Sequence, residues 1–438
     1  IFRRTRGMYM PASAKGNFKK IINNWPEDKV DVIVVTDGSR ILGLGDLGTS
    51  GIGIPIGKLA LYVACAGIYP SRTLPVVIDV GTDNEKLLKD HLYLGERHPR
   101  LTGEEYYDII DECVVAAHER WPKALIQFED FTNDHAFPLL NKYREKLLCF
   151  NDDIQGTGGV ALAGILAAMR ITKGKLNEQK IIFLGAGSAA VGIADMIVAG
   201  MIEEGLSKQE ARKRFWFIDS KGLVTTTRGD KLAEHKIAYA RNEKPQKTLL
   251  EVVKTVKPTI LIGVSKQPGA FNEKVVREMK KHVDIPIIFA LSNPTSKSEC
   301  TPTQAYEWTD GNVVYASGSP FDPIKYKGKT YSTGQGNNMY IFPGVGLGAT
   351  VCKATKITDS MFYTAAKTLA NLVSKEDLKK GRVYPDLKDI REISSHIAVS
   401  VCEIAYSEGI AWEKRPDNLL EFVKSKMFQP VYLLYKAV

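Results

Sequence analysis

The 438-residue chain has few cysteines, only six (Cys65, Cys113, Cys149, Cys300, Cys352 and Cys402), and none falls in a CxxC or other clustered spacing. That excludes a sequence-legible zinc site and a disulfide framework; the six read as reduced core thiols of an intracellular protein. Long apolar runs are also missing. The longest, around Val160 to Met169, includes glycines and stops at Arg170, well short of the roughly 20 residues needed to span a bilayer. No long basic block appears either: the net charge of +9 comes from lysines and arginines interleaved with acids. Such a surface argues against nucleic acid and suits small polyanionic ligands at least as well. No internal repeat or low-complexity stretch is visible. The sequence begins at Ile1 without an initiator methionine or a readable targeting segment, and so reads as a fragment or processed chain in which cytoplasm and mitochondrion stay undistinguished.

What the chain does have is ordinary globular composition, 44% hydrophobic and 25% charged, and length for two or three domains. Strand-like apolar runs alternate with helical patterns, which predicts a parallel α/β fold. Strands are expected at Asp31–Asp37, Leu74–Val80, Ala124–Phe128 and Leu147–Phe150, with a helix over Glu104–Glu119. A second unit starts near Asp152, with strands at Lys180–Leu184, Phe215–Asp219, Thr259–Gly263, Ile285–Ala290 and Val313–Ala316. From Pro343 the pattern is mainly helical, and a small basic, aromatic tail closes the chain.

Two strand ends carry paired carboxylates: Gln127-Phe128 leads into Glu129 and Asp130, and Phe150-Asn151 into Asp152 and Asp153. Carboxylates this close repel one another unless a cation sits among them. Oxygen-only ligands favour a hard divalent ion, magnesium or manganese. A single such pair reads more readily as solvated loop charge; two of them, each at a strand end and close in sequence, reverse that reading.

Gly185-Ala186-Gly187-Ser188-Ala189-Ala190 is a GxGxxA element after a strand and before the apolar helix Val191 to Met201. Gly185 and Gly187 permit a tight turn and close approach to a pyrophosphate at the helix N-terminus, with Ala190 completing the pattern. Asp219 is the expected ribose-hydroxyl acceptor. It follows Gly185 by 34 positions (219 − 185), beyond the usual ~20, so an enlarged helix or loop intervenes. Asp219 alone would repel a 2′-phosphate and favour NAD. Ser220 and Lys221 follow it at once, and the loop beyond carries Arg228, Lys231 and Lys236 against Asp230 and Glu234, which favours NADP. Lys221 reads equally as a solvated turn residue.

Together these stretches resemble malic enzyme, the metal- and NAD(P)-dependent family that oxidatively decarboxylates malate to pyruvate. Further matching motifs are Ser39–Gly48, Gly53–Lys58, Phe289–Thr295, Ala316–Phe321 and Gly334–Asn338, so that the similarity runs over nearly all of residues 1 to 412. The resemblance implies that Glu129, Asp130 and Asp153 bind the metal and that Arg40, Asn293 and Asn338 hold malate. It implies Lys58 as proton acceptor with Asp152 beside it, and Gly185 and Ser188 on the cofactor pyrophosphate. The Asp219–Leu223 form resembles the NADP-using members, which place a lysine about where Lys236 stands. The chemistry asks for the same residue types. Arg40 can grip one substrate carboxylate through two parallel hydrogen bonds, and a divalent ion on the other would stabilise alkoxide and enolate charge. Lys58, expected to start a helix in a Gly-rich setting, would favour the neutral amine there. On its own Lys58 reads equally as a snorkelling lysine; the two asparagines read first as turn formers, and only the family match reverses that.

The expected fold is α/β, with a Rossmann-type NAD(P)-binding domain, a parallel α/β substrate and metal domain, and a helical C-terminal region. The expected boundaries are a substrate and metal domain over 1–151, a Rossmann domain over 152–338, a helical return segment completing the first domain over 339–412, and a tail over 413–438. The family's catalytic tyrosine lies in a Tyr-Thr-Pro-Thr motif that this chain does not contain; with it goes the family's N-terminal helical domain, and the chain reads as an N-terminally truncated enzyme whose full-length form is expected to be a homo-oligomer. The competing readings are a malolactic-type relative and an inactive cofactor-binding or subunit-interaction protein.

Overall fold

Val32–Thr36 is an uninterrupted run of β-branched residues, buried along its whole length, as expected of a parallel strand covered on both faces. In the computed structural model, which describes residues 6–41 and 43–431 and all but the side chains of 230 and 231, that run is the central strand β2 of a five-stranded sheet. Leu42, inside one of the family-like motifs, and the Lys231 side chain therefore lie outside the described residues. The sheet's other strands are β1 (Met8–Pro11), β3 (Thr73–Asp79), β4 (Leu125–Phe128) and β5 (Cys149–Asn151), in the order β1-β3-β2-β4-β5. Val32 pairs with Thr73 on one side and Leu125 on the other, both parallel. The helices Gly53–Ala66 and Ile390–Ser407 pack on each other in this first unit, which comprises residues 1–150, 343–357 and 390–438.

The second unit, residues 151–342 and 358–389, holds a seven-stranded sheet. Its strands are β6 (Ile181–Leu184), β7 (Phe215–Asp219), β8 (Gly222–Leu223), β9 (Ile260–Gly263), β10 (Ile287–Ala290) and β11 (Val314–Ser317), with a small hairpin β12 (Ile324–Tyr326) and β13 (Lys329–Tyr331) outside it and β14 (Gly334–Gln335) at its edge. The order β14-β11-β10-β9-β6-β7-β8 is that of a doubly wound sheet, parallel except for the β7–β8 pair. The enlarged connection expected before Asp219 is made by the helices Ser188–Glu203 and Lys208–Arg212.

Three features differ from the sequence expectation. The segment 339–412 does not return as a block: 358–389 belongs to the second unit, because the helix Asp359–Asn371 packs on Thr157–Thr172 and Ser188–Glu203. Beyond 412 the chain is not merely a tail, since Leu419–Lys426 is a helix packed on Ile390–Ser407. Two helical stretches, Gly48–Ala66 and Asp152–Thr172, have the length and apolarity of membrane spans; the second is 78% buried, which is the condition of a core helix. The first carries Lys58, ion-paired inside its own unit.

Candidate active site

In the first sheet the chain passes from β2 to β3 on one side, and β4 then takes the other side of β2. Open α/β sheets bind ligands beyond the carboxyl ends of the strands where the order reverses. Two segments meet at that place: Asp37–Arg40 after β2, and Glu129–Asp130 after β4. The Glu129 N–H donates to the Val35 carbonyl at 2.9 Å, and the Arg40 N–H to the Asp130 carbonyl at 3.1 Å. Asp130 adopts φ +57°, a left-handed conformation that is costly without glycine and concentrates at functional sites.

Glu129 is only 2% exposed, and a buried carboxylate requires partners. Its Oε1 lies 2.9 Å from Lys58 Nζ. Its Oε2 accepts from Gln127 Nε2 at 2.8 Å, and Gln127 Oε1 in turn accepts from Tyr62 Oη at 2.7 Å. Lys58 does not start its helix: Gly53–Ala66 begins five residues earlier, which places the amine away from the helix N-terminus and beside Glu129. The Arg40 guanidinium donates to Asn133 Oδ1 at the start of the helix Asn133–Tyr143. Asn133 was not legible as a site residue, since a lone asparagine at a helix start looks like a cap. Glu129 and Asp130 offer oxygen alone, and both are buried; the donor set suits a hard divalent ion.

The second unit opens with a single π-helical turn, Asp152–Gly156, running into the helix Thr157–Thr172. Such turns cost backbone hydrogen-bond geometry and recur at functional sites. Asp152 is fully buried and Asp153 partly so. Asn338 Nδ2 lies 3.1 Å from Asp152 Oδ2 and 3.2 Å from the Asp152 carbonyl, with Thr157 Oγ1 at 3.0 Å. The sequence-predicted Asp152 and Asn338 are thus brought together across 186 positions. Asn293 follows β10, where its Oδ1 accepts from Ser319 Oγ at 2.7 Å.

The strand order of the second sheet reverses between β6 and β9, and Gly185 follows β6. Gly185 has φ +110°, and a Cβ there would meet the Val264 carbonyl oxygen at 2.8 Å. Only glycine fits on both counts. Gly187 is the residue preceding the helix Ser188–Glu203, and Ser188 and Ala190 are buried in its first turn. At the end of β7, Asp219 accepts from the Lys221 N–H at 2.9 Å, from Arg228 Nη1 at 2.8 Å and from Lys236 Nζ at 3.0 Å. Burial raises this carboxyl, but those partners outweigh it and hold it below the ordinary carboxylate range. Arg228 also donates to the carbonyls of Gly222 and Leu223, each at 2.7 Å. Ser220 and Lys221 are exposed. The loop charge that would repel a second anion is therefore compensated by two cations.

The chain is similar to known proteins along most of its length. Residues 1–144 match the model "Malic enzyme, N-terminal domain" and residues 154–406 match "Malic enzyme, NAD binding domain". The NADP-dependent malic enzyme of Dictyostelium discoideum is 58% identical over 98% of this chain and 80% of its own length. That of Homo sapiens is 50% identical over 99% and 76%, and that of Vitis vinifera 48% identical over 100% and 74%. A crystal structure of Entamoeba histolytica malic enzyme superposes with a TM-score of 0.71 at 24% identity, covering 95% of this chain and 77% of that one, which speaks for the fold. With both family models covering most of its length and relatives of this identity matched almost end to end, the chain belongs to the malic enzyme family.

Proposed function

We propose that this chain is an NADP-dependent malic enzyme, which oxidises (S)-malate and decarboxylates it to pyruvate and carbon dioxide with a magnesium or manganese ion. The observation that carries the reading is the Lys58–Glu129 pair at the switch point of the first sheet, 2.9 Å apart, a candidate base held against a candidate metal ligand. The names of the relatives, NADP-dependent malic enzymes at 48–58% identity, support the same assignment.

Glu129, Asp130 and Asp153 hold the divalent ion in this reading; Asp153 follows β5, the hydrogen-bonded neighbour of β4. When bound, the ion supplies positive charge beside the substrate oxygens, and the dinucleotide takes up two electrons and the hydrogen from C2 of malate. The protein's own residues bind and orient the substrate and take its hydroxyl proton. Arg40, steadied by Asn133, grips a substrate carboxylate through its planar fork. Asn293 and Asn338 orient the remaining polar atoms, and Lys58 Nζ accepts the proton of the substrate hydroxyl. Asp152, bonded by Asn338, is the carboxylate beside that proton. Gly185, Gly187, Ser188 and Ala190 line the pyrophosphate; Asp219 takes a ribose hydroxyl, and Ser220, Lys221 and Lys236 face the 2′-phosphate.

The test is malate-dependent reduction of NADP with magnesium present, then after thorough chelation, in the unmodified protein and in Asp153→Ala. Metal-dependent turnover is expected to vanish in the variant while NADP binding persists. Full activity after chelation would sink the reading.

A further inference from the structure

The loop that presents Arg40 begins at Asp37 and ends at Asp46, and a single buried guanidinium joins the two ends. Arg100, 10% exposed in its side chain, donates from Nε to Asp46 Oδ2 and from Nη2 to Asp46 Oδ1, both at 2.7 Å. Nη2 also donates to the Asp37 carbonyl at 3.0 Å, and Nη1 stands 3.7 Å from Asp37 Oδ2. Each carboxylate then distributes the charge into the loop. Asp37 Oδ1 accepts from the Ser39 N–H at 2.9 Å and Ser39 Oγ at 2.6 Å, while Oδ2 accepts from Tyr106 Oη at 2.8 Å. Asp46 accepts from the N–H groups of Gly48 and Asp83, both at 2.9 Å. Burial pushes the Asp46 carboxyl up, yet the Arg100 fork outweighs it and the group sits below its ordinary value.

The two ends of the loop also meet directly. The Leu47 N–H donates to the Gly38 carbonyl at 3.0 Å, and a Cβ at Gly38 would lie 2.0 Å from the Gly48 oxygen. Ser39 Oγ also accepts from the Thr132 N–H at 3.2 Å, which ties the residue before Arg40 to the neighbouring strand-end loop. Exposed ion pairs contribute little, but this one is buried, forked and shared between both ends of one ligand-bearing loop. Its partners are 54 and 63 positions away, so no local requirement of the chain explains it.

We propose that Arg100 is a positioning residue for substrate: by bridging Asp37 and Asp46 it fixes the closure of the loop and thereby the aim of the Arg40 guanidinium at a dicarboxylate. The inference rests on the reading of Arg40 as the carboxylate grip. It is tested in the full chain with Arg100→Gln, Arg100→Lys and Asp46→Asn. The measurements are KM and kcat for malate, KM for NADP, and the melting temperature with and without saturating malate and magnesium. The Gln and Asn variants are expected to raise malate KM about tenfold to a hundredfold, as misaimed groups do, while KM for NADP stays within about twofold. Their malate-induced melting shift is expected to shrink in parallel. Arg100→Lys keeps the charge but loses the fork, so it should fall between them and the unmodified protein. Should Arg100→Gln not fold, Asp46→Asn, equal in size to what it replaces, carries the comparison. Folded variants that melt earlier with unchanged malate KM overturn the inference. An unmodified protein showing neither malate turnover nor a malate-induced shift fails at the Arg40 reading itself, a different and separately visible result.

Discussion

Among single residues, the partners each group already holds decide what its substitution does. Lys58 is held against Glu129, a carboxylate that Gln127 also holds. Lys58→Ala is therefore expected to lower kcat for malate by roughly two to four orders of magnitude, the usual worth of a positioned proton acceptor, with a smaller change in KM. Partial rescue by small amines would support the role, and near-normal turnover would assign Lys58 to structure. At the nucleotide loop, Lys236 reaches Asp219 with its ammonium whereas Lys221 does so only with its backbone. Lys236→Gln should weaken NADP by about ten- to a hundredfold in catalytic efficiency, the size of one charge-assisted contact to phosphate. Lys221→Gln should cost less, and an equal loss of NADP and NAD efficiency in Lys236→Gln would remove the 2′-phosphate assignment. The paired carboxylates and the GxGxxA element could be read from adjacent residues, whereas the reading of Arg40 came from the family resemblance. Arg100, Asn133 and the double use of Arg228 were not: their partners are remote or lie in polar loops with no periodicity to mark them.

Secondary-structure elements were legible in proportion to their burial. The strands β2, β3, β6, β7, β9, β10 and β11 are apolar runs and fall within a residue or two of expectation. Strands β1, β8, β12, β13 and β14 were missed, being only two to four residues long, where pairing and not propensity makes the strand. The π-helical turn at Asp152–Gly156 was likewise invisible, since nothing in its composition distinguishes it from an ordinary helix start. It makes a sharp demand on one residue. A Cβ at Gly156 would lie 1.8 Å from Asp152 Oδ1 and 3.6 Å from Asn338 Nδ2. Gly156→Ala should displace Asp152, break its contact with Asn338 and reduce malate turnover at least about tenfold, a cost typical of a small misplacement. Gly57→Ala is the contrasting case. It lies inside the helix Gly53–Ala66 with nothing within 4 Å of the added Cβ. There the change should stabilise by roughly 0.5–1 kcal/mol, visible as a higher melting temperature. A melting temperature that falls in Gly57→Ala would mean that the helix geometry around Lys58 has been misjudged.

For the whole molecule, the sparse cysteines become reporters of how the two units open. All six are buried and unpaired with one another as disulfides. Burial pushes the thiols of Cys113 and Cys149 up to about 12, and since the thiolate is the reactive form, these two should resist thiol reagents in native protein. Labelling then tracks opening. Cys65, Cys113, Cys149, Cys352 and Cys402 belong to the first unit and Cys300 to the second, so site-resolved labelling by mass spectrometry reads the two separately. A ligand at about a hundred times its Kd stabilises the state it binds by about 2.7 kcal/mol, or roughly a hundredfold in the open population. If the dinucleotide binds the β6–β9 switch point, NADP without malate should slow the labelling of Cys300 by up to that factor. Slowing of Cys113 and Cys149 by the same factor would show that the units open as one. Rapid labelling of all six in native protein would contradict their burial. Labelling of Cys300 unchanged by saturating NADP, while NADP binding is measured independently, would remove the nucleotide from the second sheet, because binding there must stabilise the core that buries this thiol.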